Sequence, residues 1–251
     1  MVVTAAVVVA TDVRPLDVPV ELLDVPLGVN LVAVAAGAMV GTLRAGEEER
    51  VDVVGMFMLA LSFGLGGGLV RDVLLGNLPP AAFRTPAYIA TVLAATLVGS
   101  VFLVYLDHLE RAVWVLDSLS IGLFASVGVN AALLAGLSFL PAVLIGTVAS
   151  VGGTVLADAL QGRPSALLFR GPPIMLAGLA GAVVYALGYP VLPELVVTLL
   201  AVGAAFLVRI SGPLWNVQSP VPLRRPIGLR ARLRRMGARF GARPRRRSGR
   251  P

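Results

Sequence analysis

The sequence predicts an all-α integral membrane protein with seven transmembrane helices, built as an inverted repeat of three plus three helices with one extra helix. Three observations predict this fold class. The chain has 251 residues, of which 57% are hydrophobic and only 14% charged, whereas a soluble domain has about 25% charged residues. Seven apolar stretches follow one another along the chain. A glycine-rich motif that begins at Gly66 in the second stretch returns at Gly152 in the fifth.

The apolar stretches predict helices rather than strands, because the strands of a membrane barrel appear as short segments of alternating hydrophobicity. Each stretch is close to the roughly 20 residues that cross the hydrocarbon core, and we expect the sixth and seventh to be short. Their bounds are Pro26–Leu43, Val53–Leu75, Pro86–Leu106, Val113–Leu137, Leu140–Leu160, Pro172–Leu187 and Val191–Ile210. Residues 1–25 begin with an apolar run that is too short to span a bilayer, and we interpret them as an irregular extension.

The charge distribution predicts the orientation of the chain. Thirteen arginines and no acidic residue lie between Arg209 and Arg250. A basic segment beside a membrane helix usually marks the cytoplasmic side and attracts anionic lipid. An odd number of spans then places the N-terminus outside. The Arg-rich tail, residues 212–251, is therefore expected to contact anionic lipid in the cytoplasm, and we expect no nucleic acid partner.

The composition also argues against an enzyme. The chain has no cysteine, and all 21 basic residues are arginine, so neither thiolate nor lysine chemistry is possible. His108 is the only histidine, and it lies in the charged segment 107–111, which we expect to be a solvated loop. We expect no cofactor, and no metal site beyond that of a permeating cation.

The repeat is visible when residues 65–86 are aligned with residues 151–172. Eight positions are identical, and the pairs are Gly66 and Gly152, Gly67 and Gly153, Asp72 and Asp158, Leu74 and Leu160, Gly76 and Gly162, Phe83 and Phe169, Arg84 and Arg170, and Pro86 and Pro172. Since each unit holds three spans, the second copy must insert upside down. The predicted units are 26–106 and 113–190, followed by a seventh helix at 191–211.

The motif predicts a pathway across the membrane. Gly66, Gly67 and Gly68 weaken the second helix, and Gly152, Gly153 and Thr154 do so in the fifth. We expect kinks there, with backbone carbonyls freed to coordinate a cation. Ser62 lies on the same helical face as Gly66, so we expect it to line the pathway as well. In the second copy we expect Asp158 to line it. The alternative is that the glycines serve only close helix packing.

Arg71 and Asp72 are expected to gate or brace this pathway. Adjacent residues on a helix point about 100° apart, so we expect each of them to pair with another span rather than with its neighbour. Arg71 is then a candidate partner for Asp158, because Ala157 stands where the first copy has Arg71. Asp117, near one end of the fourth span, is interpreted as an interfacial residue.

At these residues the sequence resembles the bacterial form of the trimeric intracellular cation (TRIC) channel family, whose prokaryotic members are also labelled glycine transporters. The resemblance rests on three segments, namely Gly66–Gly76 with Pro79, Leu116–Ala125, and Gly152–Asp158 with Gly162. It implies a homotrimer in the bacterial plasma membrane with one cation pore per protomer, and potassium as the usual permeant ion. Two departures stand out, because Thr154 replaces the third glycine and Ala157 replaces the arginine in the second copy.

Two functions stay open at this level. The first is a monovalent cation channel, favoured modestly because no clear buried acid pair for proton coupling is present. The second is a secondary transporter of a small zwitterion such as glycine, since broken helices can also bind a carboxylate and an ammonium group. A third interpretation, in which the membrane body only anchors the basic tail, is weaker.

Overall fold

A computed structural model describes residues 27–48, 50–103, 106–168 and 173–215. The predictions made for residues 1–25 and for the part of the Arg-rich tail beyond Trp215 fall outside the described residues. Within the described ranges the chain is helical and contains no strand. Seven helices of 15 residues or more are α1 Leu27–Gly46, α2 Val53–Leu74, α3 Pro86–Phe102, α4 Leu106–Leu134, α5 Phe139–Leu160, α6 Ile174–Gly188 and α7 Glu194–Trp215.

Five of these helices contain a segment that is long and apolar enough to cross a membrane, and they are α1, α2, α4, α5 and α7. The apolar helices α3 and α6 are shorter, with 17 and 15 residues. The sequence predicted that the sixth and seventh spans are short. The sixth is short, as predicted, but the prediction for the seventh was wrong. Helix α7 begins only after Pro193 but continues to Trp215, so it has 22 residues.

The boundaries of α4 also differ from the prediction. The helix begins at Leu106 rather than Val113, so the charged segment 107–111 forms its first turns instead of a loop. It ends at Leu134 because Gly136 adopts a φ of +77°, a conformation that glycine adopts without steric cost at a helix C-terminus. Charged residues do not stop a helix by themselves, whereas a glycine with a positive φ ends α4 here.

The connections before α3 and α6 are alike. A one-turn helix, Ala81–Arg84, precedes α3, and a 3₁₀ turn, Ala166–Leu168, precedes α6. Pro86 opens α3 at its first position, where proline has no hydrogen bond to lose. Each connection thus places a compact turn between a glycine-capped helix and a short apolar helix.

The helices pack in two similar groups. Helix α1 packs on α2 and α3, and α4 packs on α5 and α6. The groups meet where α2 contacts α5 and where α1 contacts α4, while α7 packs on α4 and α6. Glycine permits the closest contacts, since a Cβ added at Gly37 would lie 2.6 Å from the Phe63 carbonyl oxygen, and one at Gly128 would lie 2.8 Å from the Gly146 Cα. Small residues let membrane helices approach in this way.

The outer faces of α3 and α7 are apolar and exposed. The exposed large side chains on these two helices are Ile89, Leu93, Leu97, Val98, Val101, Phe102, Leu195, Val196, Leu199, Leu200 and Leu207. Apolar surface of this extent is unfavourable in water and suits hydrocarbon or another protein surface.

Candidate functional site

The glycines of the two motif copies face each other across the contact between α2 and α5. A Cβ added at Gly66 would lie 2.9 Å from the Gly153 Cα, and one at Gly152 would lie 3.2 Å from the Gly67 Cα. A Cβ at Gly67 would overlap the carbonyl oxygen of Ala149. These four glycines therefore allow the two backbones to touch, which is the packing alternative weighed for them above.

Helices α2 and α5 run through their glycines without interruption. The carbonyl groups at Gly66–Gly68 and at Gly152–Thr154 thus stay within helical segments and are not freed by a break, which differs from the expectation. Tertiary packing explains the difference, because each glycine stretch is supported by the facing helix. The predicted kinks remain a prediction.

Gly68 differs from the other glycines of the first motif. The only atom near a Cβ added there is Arg71 Nη2, at 4.0 Å. Gly68 faces away from α5 and, with Gly64, lines a narrow pocket of about 20 Å³ between α1, α2 and α4. A single glycine of the triplet therefore borders open space.

Arg71 and Asp72 bind each other, so the expectation that each pairs with another span is wrong. Arg71 Nη2 lies 2.6 Å from Asp72 Oδ1, and Arg71 Nε donates a hydrogen bond of 2.8 Å to the same oxygen. The other oxygen, Oδ2, accepts a hydrogen bond of 2.8 Å from the Ala81 backbone N–H. The long, flexible arginine side chain folds back to its neighbour in the last turn of α2.

Arg71 cannot reach Asp158 for a geometric reason. Helices α2 and α5 are antiparallel, since Phe63 lies beside Gly153 and Gly67 beside Ala149. Both charged residues lie near the C-terminal end of their helix, so they lie at opposite ends of the helix contact. The predicted pairing of Arg71 with Asp158 is therefore wrong.

A cavity of about 340 Å³, which we call the Asp72 cavity, opens at the first end. Several residues line both this cavity and the narrow pocket beside Gly68. Residues of α1, α2, α3 and α4 line it, with Asn77 from the connection after α2, and they are Asn30, Arg71, Asp72, Leu75, Asn77, Tyr88, Val127, Asn130, Ala131, Leu134 and Ala135. Tyr88 was not singled out from the sequence, because a tyrosine near a helix end is also typical of a membrane interface.

A second cavity of about 520 Å³, the Asp117 cavity, opens at the opposite end of the same helices. Its lining comes from α1, α2, α4, α5 and two connections, and consists of Arg44, Glu47, Glu48, Phe63, Val113, Trp114, Asp117, Asp158, Gln161 and Arg163. Asp158 thus faces a cavity, as a pathway residue must. Asn30 and Arg44 on α1 are 14 residues apart, which corresponds to about 21 Å along a helix.

An apolar region, which we call the partition, lies between the two cavities. Phe63 lines the Asp117 cavity, while its neighbours Gly64 and Leu65, with Phe124 of α4, line the narrow pocket on the other side. The sequence pattern did not reveal this role, because Phe63 and Phe124 read as ordinary apolar residues of their spans.

Ser62 and Thr154 are buried and line neither of these two cavities. The Ser62 hydroxyl donates a hydrogen bond of 2.8 Å to the Met58 carbonyl oxygen. Such an internal helix bond satisfies a serine in an apolar surrounding. Both residues lie close to the α2–α5 contact rather than to open space.

Asp117 is buried and binds two arginines from other helices, so its interpretation as an interfacial residue is wrong. Arg44 Nη2 of α1 lies 3.0 Å from Asp117 Oδ2, and Arg209 Nη2 of α7 forms an ion pair with the same oxygen. Arg209 is also buried. The signal was present in the sequence, since a charged residue inside an apolar span requires a partner.

Glycines of the two motifs also end their helices in the same way. Gly76 has a φ of +69° and Gly162 a φ of +64°. The Asn77 N–H donates to the Asp72 carbonyl oxygen at 2.8 Å, and the Arg163 N–H donates to the Asp158 carbonyl oxygen at 2.9 Å. This is the Schellman arrangement of a helix C-terminus. The shared Asp-x-Leu-x-Gly pattern therefore has a capping role in both copies.

An exposed ion pair joins the connections beside the Asp117 cavity. Arg163 Nη2 lies 2.5 Å from Glu48 Oε1. The hydrogen bond from Arg163 lowers the pKa of the Glu48 carboxyl below its ordinary value. The same bond raises the pKa of Arg163, and the nearby charge of Asp158 adds to that rise.

No metal centre is formed by the residues described. Among them, no group of three or more histidine, cysteine, aspartate or glutamate side chains is arranged to hold a metal ion. The polar groups of both cavities are oxygens, guanidinium groups and amides, which suit a hydrated or weakly bound ligand.

Known proteins with related sequences are membrane proteins. A family model described as glycine transporter matches residues 27–105 and 114–190. A UPF0126 membrane protein from Deinococcus radiodurans is 33% identical over 141 residues, which cover 56% of this chain and 65% of that protein. The UPF0126 inner membrane protein YadS from Escherichia coli K12 is 28% identical over 198 residues, covering 76% of this chain and 93% of YadS.

Solved structures with the same fold are cation channels. A TRIC cation channel, the subject of a study of conductance, is 25% identical with a TM-score of 0.71, and the match covers 80% of this chain and 99% of the channel. The trimeric intracellular cation channel orthologue from Rhodobacter sphaeroides is 26% identical with a TM-score of 0.68, covering 76% of this chain and 98% of the orthologue.

Proposed function

This multi-pass membrane protein belongs to the glycine transporter family, and we propose that it is a monovalent cation channel in which potassium is the main permeant ion. One observation carries the proposal. Two polar cavities lie at opposite ends of α1, α2 and α4, with the apolar partition between them. The fold shared with TRIC channels supports it.

The proposed pathway runs from the Asp72 cavity through the narrow pocket beside Gly68, past Phe63 and Phe124, to the Asp117 cavity. The narrow pocket, at about 20 Å³, has room for about one water molecule. We therefore interpret the arrangement as closed. A hydrophobic constriction of this kind stops ions by excluding water, so conduction requires Phe63 or Phe124 to move.

The residues predicted for the ion pathway then divide into two groups. Gly68 and Asp158 border the proposed pathway. Gly66, Gly67, Gly152 and Gly153, with Ser62 and Thr154 nearby, hold α2 against α5 and thereby shape one wall of it. Arg71 and Asp72 brace the mouth of the Asp72 cavity, because each satisfies the charge of the other.

We also infer one pathway per protomer of a homotrimer. Both cavities lie among the packed helices α1, α2 and α4 of one chain, which supports a route through each protomer. The Rhodobacter orthologue is described as trimeric, which supports the same assembly here.

An inverted repeat of α1–α3 and α4–α6, with α7 as the extra helix and all seven helices spanning the membrane, is part of the proposal. Three features support it. The helices of the two groups pack in the same order. Gly76 and Gly162 cap α2 and α5 alike. A compact turn precedes each of the short helices α3 and α6.

The orientation remains as the arginine distribution predicts. With the Arg-rich tail in the cytoplasm, the Asp117 cavity opens to the cytoplasm and the Asp72 cavity to the outside of the plasma membrane. The tail would lie against anionic lipid headgroups. Protease protection of a C-terminal tag in right-side-out vesicles tests this orientation, because a cytoplasmic tag stays protected.

Flux from proteoliposomes tests the function. Purified protein is reconstituted, vesicles are loaded with potassium, and a voltage is imposed without any other gradient. We expect rapid potassium efflux that needs neither protons nor amino acids. The absence of potassium flux, together with saturable glycine uptake that collapses with the proton or sodium gradient, would instead establish the zwitterion transporter.

A matched pair of variants tests the route. Gly68→Phe fills the narrow pocket, and we expect it to abolish flux while trimers still form. Gly28→Phe is the control, because a Cβ at Gly28 has nothing within 4 Å and Gly28 lines neither cavity. Equal flux from both variants would contradict the proposed route.

A further inference from the structure

We propose that Arg44, Asp117 and Arg209, which we call the charge triad, set the barrier to cations in the Asp117 cavity, and that α7 controls conduction through Arg209. This inference rests on the proposed cation pathway. Its unexpected part is α7, because the described residues of that helix line neither the Asp72 cavity nor the Asp117 cavity. The triad links α7 to the pathway.

Both guanidinium groups of the triad share one carboxylate oxygen. Arg44 Nη2 lies 3.0 Å from Asp117 Oδ2, and Arg209 Nη2 binds the same atom. Arg44 is separated from Asp117 by 73 residues and Arg209 by 92. A single oxygen atom therefore joins α1, α4 and α7.

The triad carries one surplus positive charge, since two arginines face one aspartate. Arg209 and Asp117 have side chains only 4% and 5% exposed, whereas the Arg44 side chain is 35% exposed. A buried charge needs its counter-ion more than an exposed one does, so Arg209 depends most on Asp117. The surplus charge is consequently concentrated on Arg44, the arginine of the triad that lines the cavity.

Arg44 also lies at the partition. Its guanidinium carbon is 5.1 Å from the centre of the Phe63 ring, a distance at which a cation and an aromatic face attract. A cation that enters from the Asp117 cavity passes Glu47, Glu48 and Asp158 at the mouth and then meets Arg44 beside Phe63. Arg44 thus opposes cations at the point where the Asp117 cavity meets the partition.

Arg209 competes with Arg44 for Asp117. Arg209 Nε is buried and has no hydrogen-bond partner within the described part of the chain, so Arg209 depends on its contact with Asp117 Oδ2. Removal of Arg209 leaves the whole carboxylate charge to Arg44, and the triad becomes neutral. Movement of α7 away from α4 has the same consequence, which gives α7 control over a cavity that its described residues do not line.

Potassium flux of charge-neutralising variants tests the triad. Arg44→Gln and Arg209→Gln each remove one positive charge, and we expect each to raise flux per folded trimer about fivefold in 0.1 M KCl. The gain should shrink in 1 M KCl, because salt screens the charge. A role in folding alone gives no such salt dependence. Arg111→Gln is the control, since Arg111 is exposed and lines neither cavity.

The outcomes separate this inference from the proposed function. Wild-type flux with unchanged or lowered flux in both variants would overturn the triad and leave the channel intact. An increase in Arg44→Gln alone would overturn the control by α7. No potassium flux from the wild type would overturn the channel and the triad together. Should Arg209→Gln not form trimers, Arg209→Leu removes the same charge with a side chain suited to the membrane interior.

Discussion

The two copies of the glycine motif share a backbone but differ in how they handle charge. Asp72 is buried at 2% exposure and is held by the adjacent Arg71 and by the Ala81 backbone. Asp158, its counterpart, has Ala157 beside it and lines a cavity. In the second copy an arginine follows the helix instead, as Arg163, and it binds Glu48 in another connection.

This difference shows how one motif supports two roles. The features common to both copies are structural, since paired glycines join α2 to α5 and a further glycine ends each helix. The features that differ concern the aspartate. Where an arginine lies next to it, the carboxylate is neutralised and braces a loop. Where alanine stands in place of that arginine, the aspartate lines a cavity that an arginine of the following connection, Arg163, also lines.

The largest effect is expected where the two copies touch. Gly67→Ala places a methyl group against the Ala149 carbonyl oxygen, and overpacking at such a contact should lower the free energy of unfolding by about 3 kcal/mol or more. Gly68→Ala is the matched control, because its methyl group would have open space. The fraction of trimer that survives heating, measured by size-exclusion chromatography, compares them. Equal stability of the two variants would contradict the contact.

A smaller effect is expected from the two aspartates. Asp72→Asn leaves Arg71, whose side chain is only 11% exposed, without its counter-ion, which should cost about 3 kcal/mol of stability. Asp158→Asn should change stability by less than about 1 kcal/mol, because its side chain is partly exposed. For potassium flux the order is reversed. Asp158→Asn should reduce the flux per folded trimer more than Asp72→Asn does. A stable Asp72→Asn protein would show that Arg71 needs no partner.

The smallest effect concerns Glu48 and Arg163. Since the pKa of Glu48 is lowered in the folded protein, its stabilising contribution is present above the pKa of an unfolded glutamate, about 4.3, and is lost as the pH falls through the lower folded value. Glu48→Gln should therefore lower the melting temperature slightly at pH 7, and the difference from wild type should disappear in acid. A difference that persists in strong acid would assign the effect to packing.

The positions of the helices were largely predictable, whereas several charge partners were not. Apolar length predicted every one of the long helices, and errors arose at the ends of α4 and α7, since α4 includes the charged segment 107–111 and α7 continues to Trp215. Arg71 was expected to pair with a residue of another span, but it binds the adjacent Asp72. Asp117 was expected at the interface and binds residues 73 and 92 positions away. Spacing along a helix says which face a side chain occupies, but it does not say which helix lies opposite.

The sequence by itself determined that this chain is a helical membrane protein with a repeated glycine motif, because hydrophobic length and glycine placement are local properties. It also limited the chemistry, since cysteine and lysine are lacking. Only the tertiary structure decided which glycines pack and which one borders open space, and at which end of the α2–α5 contact each aspartate lines a cavity. Those outcomes depend on how antiparallel helices align their residues, and that alignment exists only when the helices have assembled.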